Sequence, residues 1–342
     1  YKAEFLHHRY AGRLRPRQAY ALGLIDKWAR AASHAPALAD AATRIPVVSR
    51  LAKTAAGVAP QRQAPRFARR TFVSWFDEHA PHRPQGPPVV IWPDTFTNYF
   101  EPSVGIAAVE VLEAAGFRPV VPGRPLCCGR PLYDYGMLDL AHRYLRRLLR
   151  ALRPALEHGL PVVGLEPSCL AVFRDELTNM LPGDADAQRL AAQSMSLAEF
   201  LTSRTEKWSP PALHRRALVQ THCHQHAVVG FEADSEVMSL MGLDVDRPDA
   251  GCCGMAGSFG YEAGDKYRVS MDAGERVLLP AVRAAAEDTL IVADGFSCRS
   301  QIASATGRQA LHLAEVLALA RRHGPVGPPG RHPERHRTTP TR

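Results

Sequence analysis

The chain has 342 residues, 46% of them hydrophobic, and a formal net charge of +8, material enough for two ordinary domains but with no run of about 20 apolar residues that could span a membrane. The positive charge sits at the ends: residues 1–70 hold 14 Lys/Arg against 3 Asp/Glu, residues 323–342 hold 4 Arg against 1 Glu, and 71–322 is left at −6. An acidic body argues against nucleic acid as the partner behind the basic balance.

The chain begins at Tyr1 rather than Met and reads as a fragment or a processed chain. Residues 1–85 are expected to form a basic helical arm and linker. Leu22, Ile25, Trp28, Ala29 and Ala32 share one helical face, and Pro36 and Pro46 each suit the opening of a short helix. Residues 61–70, with four Arg and one Pro, read as a linker. Such an arm packs on a neighbouring domain, on a partner or on an anionic membrane surface.

A first repeat is expected over 86–205. Residues 88–92 are a short apolar run bounded by prolines and read as a buried strand, with Asp94 just after it. A helix over 104–115 ends at Gly116, and a second strand at 120–121 leads into Cys127-Cys128-Gly129. A long helix over 138–158 ends at Gly159, and a third strand at 161–165 runs into Glu166-Pro167-Ser168-Cys169.

A second repeat over 206–322 follows the same order. A strand at 216–220 precedes His222-Cys223-His224. A helix over 235–241 and residues 243–247 lead to Cys252-Cys253-Gly254. A long helix over 265–285 and a strand at 289–293 bring the chain to Cys298. Strands alternating with helices imply an α/β fold of parallel sheets with helices packed on them. Ligands then gather beyond the carboxyl ends of the strands, where every cysteine segment lies. The proline-rich tail 323–342 has little apolar content and is expected to be disordered.

Six of the seven cysteines form two matching sets, Cys127, Cys128 and Cys169 against Cys252, Cys253 and Cys298. The seventh, Cys223, lies 75 residues before Cys298, and the position 75 before Cys169 is Asp94. This is an internal duplication with one cysteine exchanged for Asp. An odd count and adjacent cysteines, which bridge each other poorly, argue against a disulfide framework and for a reduced, cytoplasmic setting.

Four thiolates from three strand ends, Cys223, Cys252, Cys253 and Cys298, suit an iron–sulfur cluster or a tetrahedral zinc. The lack of CxxC disfavours zinc, and adjacent thiolates reach two irons of one cluster more readily than one zinc. Gly129 and Gly254 fit a backbone that takes positive φ and comes close to a bulky group. Redox-active thiols or structural cysteines stay open as alternatives. In the first repeat Asp94 can complete a ligand set with Cys127, Cys128 and Cys169, or this copy has lost its cluster and keeps its cysteines in the core. His222, His224 and His226 alternate about Cys223; on a strand they would share one side, opposite the thiol. Met255, Ser258 and Phe259 are expected to shield the site. No phosphate-binding, flavin or nicotinamide fingerprint stands out.

The paired Cys-Cys-Gly segments resemble the cysteine-rich CCG domain. That domain occurs in one subunit of heterodisulfide reductase, in the iron–sulfur subunits of glycolate oxidase and of anaerobic glycerol-3-phosphate dehydrogenase, and in the lactate-utilisation proteins. The likeness is nearest to the C-terminal part of fused FAD-linked oxidases of the D-lactate or glycolate dehydrogenase kind. It rests on residues 126–136 (LCCGRPLYDYG), 222–225 (HCHQ), 251–260 (GCCGMAGSFG) and 294–298 (DGFSC), and on 1–5 (YKAEF), which look like the segment after a ferredoxin-type cysteine run. The resemblance implies an electron-transfer module carrying a 4Fe-4S cluster in the second repeat, with a second cluster depending on the first. It also implies FAD on another domain or subunit, a ferredoxin-type partner, and a quinone or cytochrome as acceptor. Two departures from the heterodisulfide reductase pattern, Asp94 in place of a cysteine and a single final cysteine where that pattern has CxxC, weigh against two five-thiolate clusters and a catalytic heterodisulfide or thiol–disulfide role. A zinc-stabilised scaffold is the remaining alternative.

Overall fold

The computed structural model describes residues 1–204 and 208–337. The expected boundary between the repeats, at 205/206, lies outside the described residues. Among the described residues seven strands form two parallel sheets. In the first, β1 (Pro88–Trp92), β2 (Arg118–Val120), β3 (Val162–Gly164) and β4 (Ser194–Ser196) run in the order β2-β1-β3-β4. In the second, β5 (Arg216–Val219), β6 (Asp244–Asp246) and β7 (Leu290–Val292) run in the order β6-β5-β7. Leu311 bridges Val292 in parallel, so the second sheet starts a fourth strand where the first has β4. Registers match as well, with Trp92 opposite Gly164 and Val219 opposite Val292.

β1, β3 and β7 are covered on both faces, which explains why they are apolar throughout, whereas the edge strand β6, Asp244–Asp246, is exposed. Side chains alternate between the faces. Val89, Ile91, Val163, Ala217, Val219, Leu290 and Val292 enter one core shared by the repeats. Val90, Trp92 and Val162 face a layer that also holds Cys128 and Cys169; Leu218 and Ile291 face one that holds Cys253 and Cys298. The repeats exchange helices across a pseudo-two-fold. Helix Pro102–Ala114 of the first packs on Leu313–His323 of the second, while Glu232–Met241 packs on Leu197–Arg204. Residues 313–320 are buried without a break, as a helix enclosed on all sides must be.

Several boundaries differ from the sequence reading. The helix expected over 265–285 is two helices, Asp265–Glu275 and Leu278–Ala284, because Pro280 has no N–H to continue the ladder and Val277 leaves helical φ/ψ. The His222–His226 segment does not alternate on a strand: the chain is helical from residue 223, and the rings of His222 and His224 lie 5.0 Å apart. Its strand-like spacing was a property of the string, since the capping bond from His224 N–H to His222 Nδ1 (3.1 Å) starts a helix there. The tail is ordered as far as Arg337. His214 N–H donates to Pro325 O and Arg215 to Val326 O and Pro328 O, and Glu334 is buried against Arg308. The scarcity of apolar residues is offset there by backbone carbonyls that arginines bind; residues 338–342 lie outside the described residues.

Prolines 36 and 46 do open helices, Pro36–Arg44 and Pro46–Ala56. The arm does not stand off from the body. Arg15 donates to the carbonyls of Tyr135 and Gly136, and Tyr144 Oη donates to Asp26. Arg62, in the expected linker, is 3% exposed and donates to Gly260 O, Gln301 and Ser270. The arm is therefore a strap tied to both repeats.

Candidate functional site

All seven cysteines and Asp94 line one cavity of about 640 Å³. The two sets reach it by the same route. Each Cys-Cys-Gly ends in a left-handed glycine, Gly129 at φ +83° and Gly254 at φ +93°. That conformation turns the glycine N–H back on the first thiol, 3.5 Å to Cys127 Sγ and 3.3 Å to Cys252 Sγ. The surroundings differ. A Cβ on Gly254 would stand 2.0 Å from Ser270 O, whereas on Gly129 its nearest neighbour is 3.7 Å away. Ala256 follows with φ 42°, the one non-glycine residue at positive φ among those described. The third cysteine of each set is the third residue of a helix after a strand: Cys169 in Pro167–Ala171 and Cys298 in Phe296–Thr306.

The fourth position shows a shift that counting residues concealed. Asp94 is the N-cap of helix Thr95–Tyr99, its Oδ1 accepting from Phe96 N–H and Thr97 N–H at 2.8 and 3.0 Å. His222 does the same for the helix that starts at Cys223. By capping geometry Asp94 therefore matches His222, and Thr95 matches Cys223, so the 75 residues from Asp94 to Cys169 correspond to the 76 from His222 to Cys298. Asp94 still faces the cavity, and its Oδ2 is buried with no hydrogen-bond partner. Burial first, and then the carboxylate of Glu166, push its carboxyl up to about 6.

In the first set Cys169 Sγ lies 3.1 Å from Cys128 Sγ. The contact with the next thiol, then burial, pushes Cys127 well above the ordinary thiol range, and Cys252 is raised by the same two causes. The bond to Cys128 favours the Cys169 thiolate, but burial and the charges of Asp94 and Glu166 outweigh it and hold Cys169 at about 11. Thiols so crowded keep their protons until a cation displaces them. Cys253 and Cys298 are buried, whereas Cys223 and Cys252 are exposed. His222 and His224 line the same cavity. Burial, then Arg130, holds them down at about 4 and about 3, so they stand as neutral imidazoles. The Nδ1 of His224 is buried without a partner, and His222, Cys223 and His224 bring ligand atoms within 4.8 Å of one another.

Ser258 and Phe259 line the cavity as expected, but Met255 does not; it is fully buried behind the loop, against the site a Gly260 Cβ would fill. Sequence reasoning missed three contributors. Glu166 lines the cavity and caps its own helix through Ser168; an acid directly before a Pro at the first helical position is a capping signal that could have revealed it. Phe96 and Phe296, one from each repeat, stack at 4.3 Å between centroids and both line the cavity. The strap lines a further side with Ile25, Thr43, Lys53 and Phe67; of these only Ile25, on the apolar face of its helix, carries a local signal. The loops of the two motifs also touch, Ser258 Oγ donating to Tyr135 Oη at 2.8 Å.

The donor set fits an iron–sulfur group. It offers clustered sulfurs at strand ends, backbone N–H groups aimed at sulfur, and a bare carboxylate oxygen in the first repeat.

A family model described as a cysteine-rich domain, CCG, matches residues 95–174 and 231–303. An anaerobic glycerol-3-phosphate dehydrogenase subunit from Escherichia coli K12 is 25% identical over 289 residues, covering 83% of this chain and 72% of that one. Lactate utilization protein A of Geobacillus kaustophilus is 32% identical over 235 residues, covering 64% of this chain and 94% of that one. D-2-hydroxyglutarate dehydrogenase of Pseudomonas putida is 26% identical over 326 residues, which is 92% of this chain but 31% of that enzyme.

Proposed function

This chain belongs to the cysteine-rich CCG domain family, and on that premise we propose that it is the iron–sulfur electron-transfer module of a flavin-dependent 2-hydroxy-acid dehydrogenase of the D-lactate or glycolate kind. The observation that carries the reading is the convergence of every cysteine on one cavity between two like repeats. Cys223, Cys252, Cys253 and Cys298 would hold a 4Fe-4S cluster; Cys127, Cys128, Cys169 and Asp94 are the set for a second. Such a cluster, when bound, supplies one-electron storage between a flavin and an acceptor. The chain's own residues place the sulfurs, direct Gly129 and Gly254 N–H groups to them, and cover part of the cavity with Phe96, Phe296 and the strap. The substrate would be oxidised at FAD on another domain or subunit, with a ferredoxin-type domain between, and a quinone or cytochrome beyond. The chain alone is then expected to oxidise no hydroxy acid.

Among the described residues no helix is long and apolar enough to cross a membrane. A peripheral contact, on the cytoplasmic face, is the reading for the strap's outer surface. Leu38, Ile45, Val47 and Leu51 are 51–74% exposed there, within a segment, 27–70, that holds nine Lys/Arg and one Asp. Exposed apolar side chains set among cations suit an anionic lipid surface.

Anaerobic purification with iron and acid-labile sulfide analysis, and an EPR spectrum after reduction, tests the cluster. About four irons per chain means one cluster, about eight means two, and zinc without iron overturns the reading. The 3.1 Å contact of Cys128 with Cys169 favours a second reading, a dithiol that forms a disulfide; a chain free of iron whose thiol count falls by two on mild oxidation would support it.

A further inference from the structure

Away from the cysteines, His79, His82 and Glu113 bring one ligand atom each within 4.8 Å of one another. His79 is the C-cap of helix Phe72–Glu78, at the end of the strap, and Glu113 lies in the last turn of Pro102–Ala114. His79 Nε2 stands 2.9 Å from Glu113 Oε1, and the same oxygen accepts the His82 N–H at 3.1 Å. Stacking on Trp75, at 4.7 Å between centroids, fixes the His79 ring. The His82 ring is edge-on to it at 5.7 Å.

Glu113 is 4% exposed, and its Oε2 is buried with no hydrogen-bond partner. A buried carboxylate with one bare oxygen is costly unless a cation meets it. No Lys or Arg pairs with Glu113 among the described ion pairs, where its partner is His79. Arg322 stands 3.9 Å from Glu110, one turn earlier, instead.

We propose that His79, His82 and Glu113 form a binding site for a divalent transition metal of the zinc type, separate from the cysteine cavity. Two imidazoles and one carboxylate are a borderline-soft set, which zinc accepts and the all-oxygen preference of magnesium or calcium does not match. Zinc ligands stand about 2.0–2.2 Å from the ion, so donors on one ion are separated by up to about 4 Å. The exposed His82 ring can close the remaining gap by a small rotation. Three protein ligands leave a fourth position for water. The metal would pin the end of the strap to helix Pro102–Ala114, which lies at the junction of the repeats.

The test uses the full chain, loaded anaerobically with its iron and equilibrated with Zn²⁺. Metal counting is expected to find about one zinc per chain beside unchanged iron, and X-ray absorption at the zinc edge a shell of N/O donors at about 2.0–2.1 Å. His82→Ala, at an exposed position, is expected to weaken zinc binding at least tenfold without loss of iron. Glu113→Gln, which keeps the shape of the side chain, is expected to do the same. Zinc held as tightly by His82→Ala as by the unaltered chain, no zinc retained, or a shell of sulfur at about 2.3 Å would each overturn the site.

Discussion

Glu166 of the first repeat accepts the backbone N–H of Phe296, the first helical residue of the Cys298 helix in the second repeat, at 2.8 Å. Its other oxygen accepts from Ser168 Oγ at 2.7 Å in the helix of Cys169. One carboxylate thus sets the entry of both helices that carry the third cysteine, and couples the geometry of the two sulfur sets. Arg299, ion-paired with Glu101 at 2.6 Å, and His312, 2.8 Å from Leu165 O, are further ties across the same junction.

Removal of that carboxylate should be felt in both repeats. Glu166→Ala leaves buried donors on Ser168 and Phe296 without an acceptor, at a cost of about 2–3 kcal/mol. Glu166→Gln keeps one acceptor and should cost less. Denaturant unfolding gives the stabilities; equal values for the two variants would show that the bonds matter less than the volume.

The two glycines should respond unequally to a methyl group. Gly129→Ala meets no close atom and is expected to lose about 1–2 kcal/mol from left-handed strain. Gly254→Ala adds a 2.0 Å approach to Ser270 O and should push the loop off helix Asp265–Glu275, with loss of iron as well as stability. Thermal melts and iron analysis of both variants check the order.

Cysteine replacements separate the repeats. Cys253→Ser is expected to abolish the second-repeat cluster, and Cys127→Ser to leave it in place. The measurement is iron and labile sulfide per chain; equal loss from both would mean that the sets depend on each other, as the shared cavity permits.

For the metal-free chain, His222 and His224 make stability pH-dependent. Their folded values, about 4 and about 3, lie below the unfolded 6.5. The stabilisation is therefore complete above pH 6.5 and is lost as the pH falls toward 4. The enclosed His222 accounts for roughly 2–3 kcal/mol of it. Asp94 acts in the opposite sense, since its carboxyl is raised from 3.8 to about 6: its contribution is present below pH 3.8 and gone above 6. Urea unfolding between pH 5 and 7.5 should show a rise with pH that His222→Asn, which keeps a capping oxygen, makes shallower. A slope unchanged in that variant would remove His222 from the account.

Leu51→Glu and Val47→Glu, on the exposed face of Pro46–Ala56, should abolish sedimentation with anionic vesicles and leave iron content as it was. Binding that persists, or that neutral vesicles support equally, would count against a lipid surface.

The sequence by itself determined the α/β class, the duplication, the strand ends as the location of the thiols and the need for glycine at 129 and 254. Those features are local: apolar runs, helix stops and a repeated tripeptide carry them, and each is fixed by backbone sterics or by burial of one face. It also placed the prolines that open the strap's helices. Tertiary structure alone decided the rest. The equivalence of Asp94 with His222 emerged only from capping geometry, because a one-residue difference in length between the repeats is invisible to a count that assumes equal spacing. The strap over the cavity, the Glu166–Phe296 bond and the meeting of His79 with Glu113 depend on contacts between residues 34 to 198 apart. Such pairs form when shared apolar faces bring the two repeats and the strap together, and no local pattern records which partner each will meet.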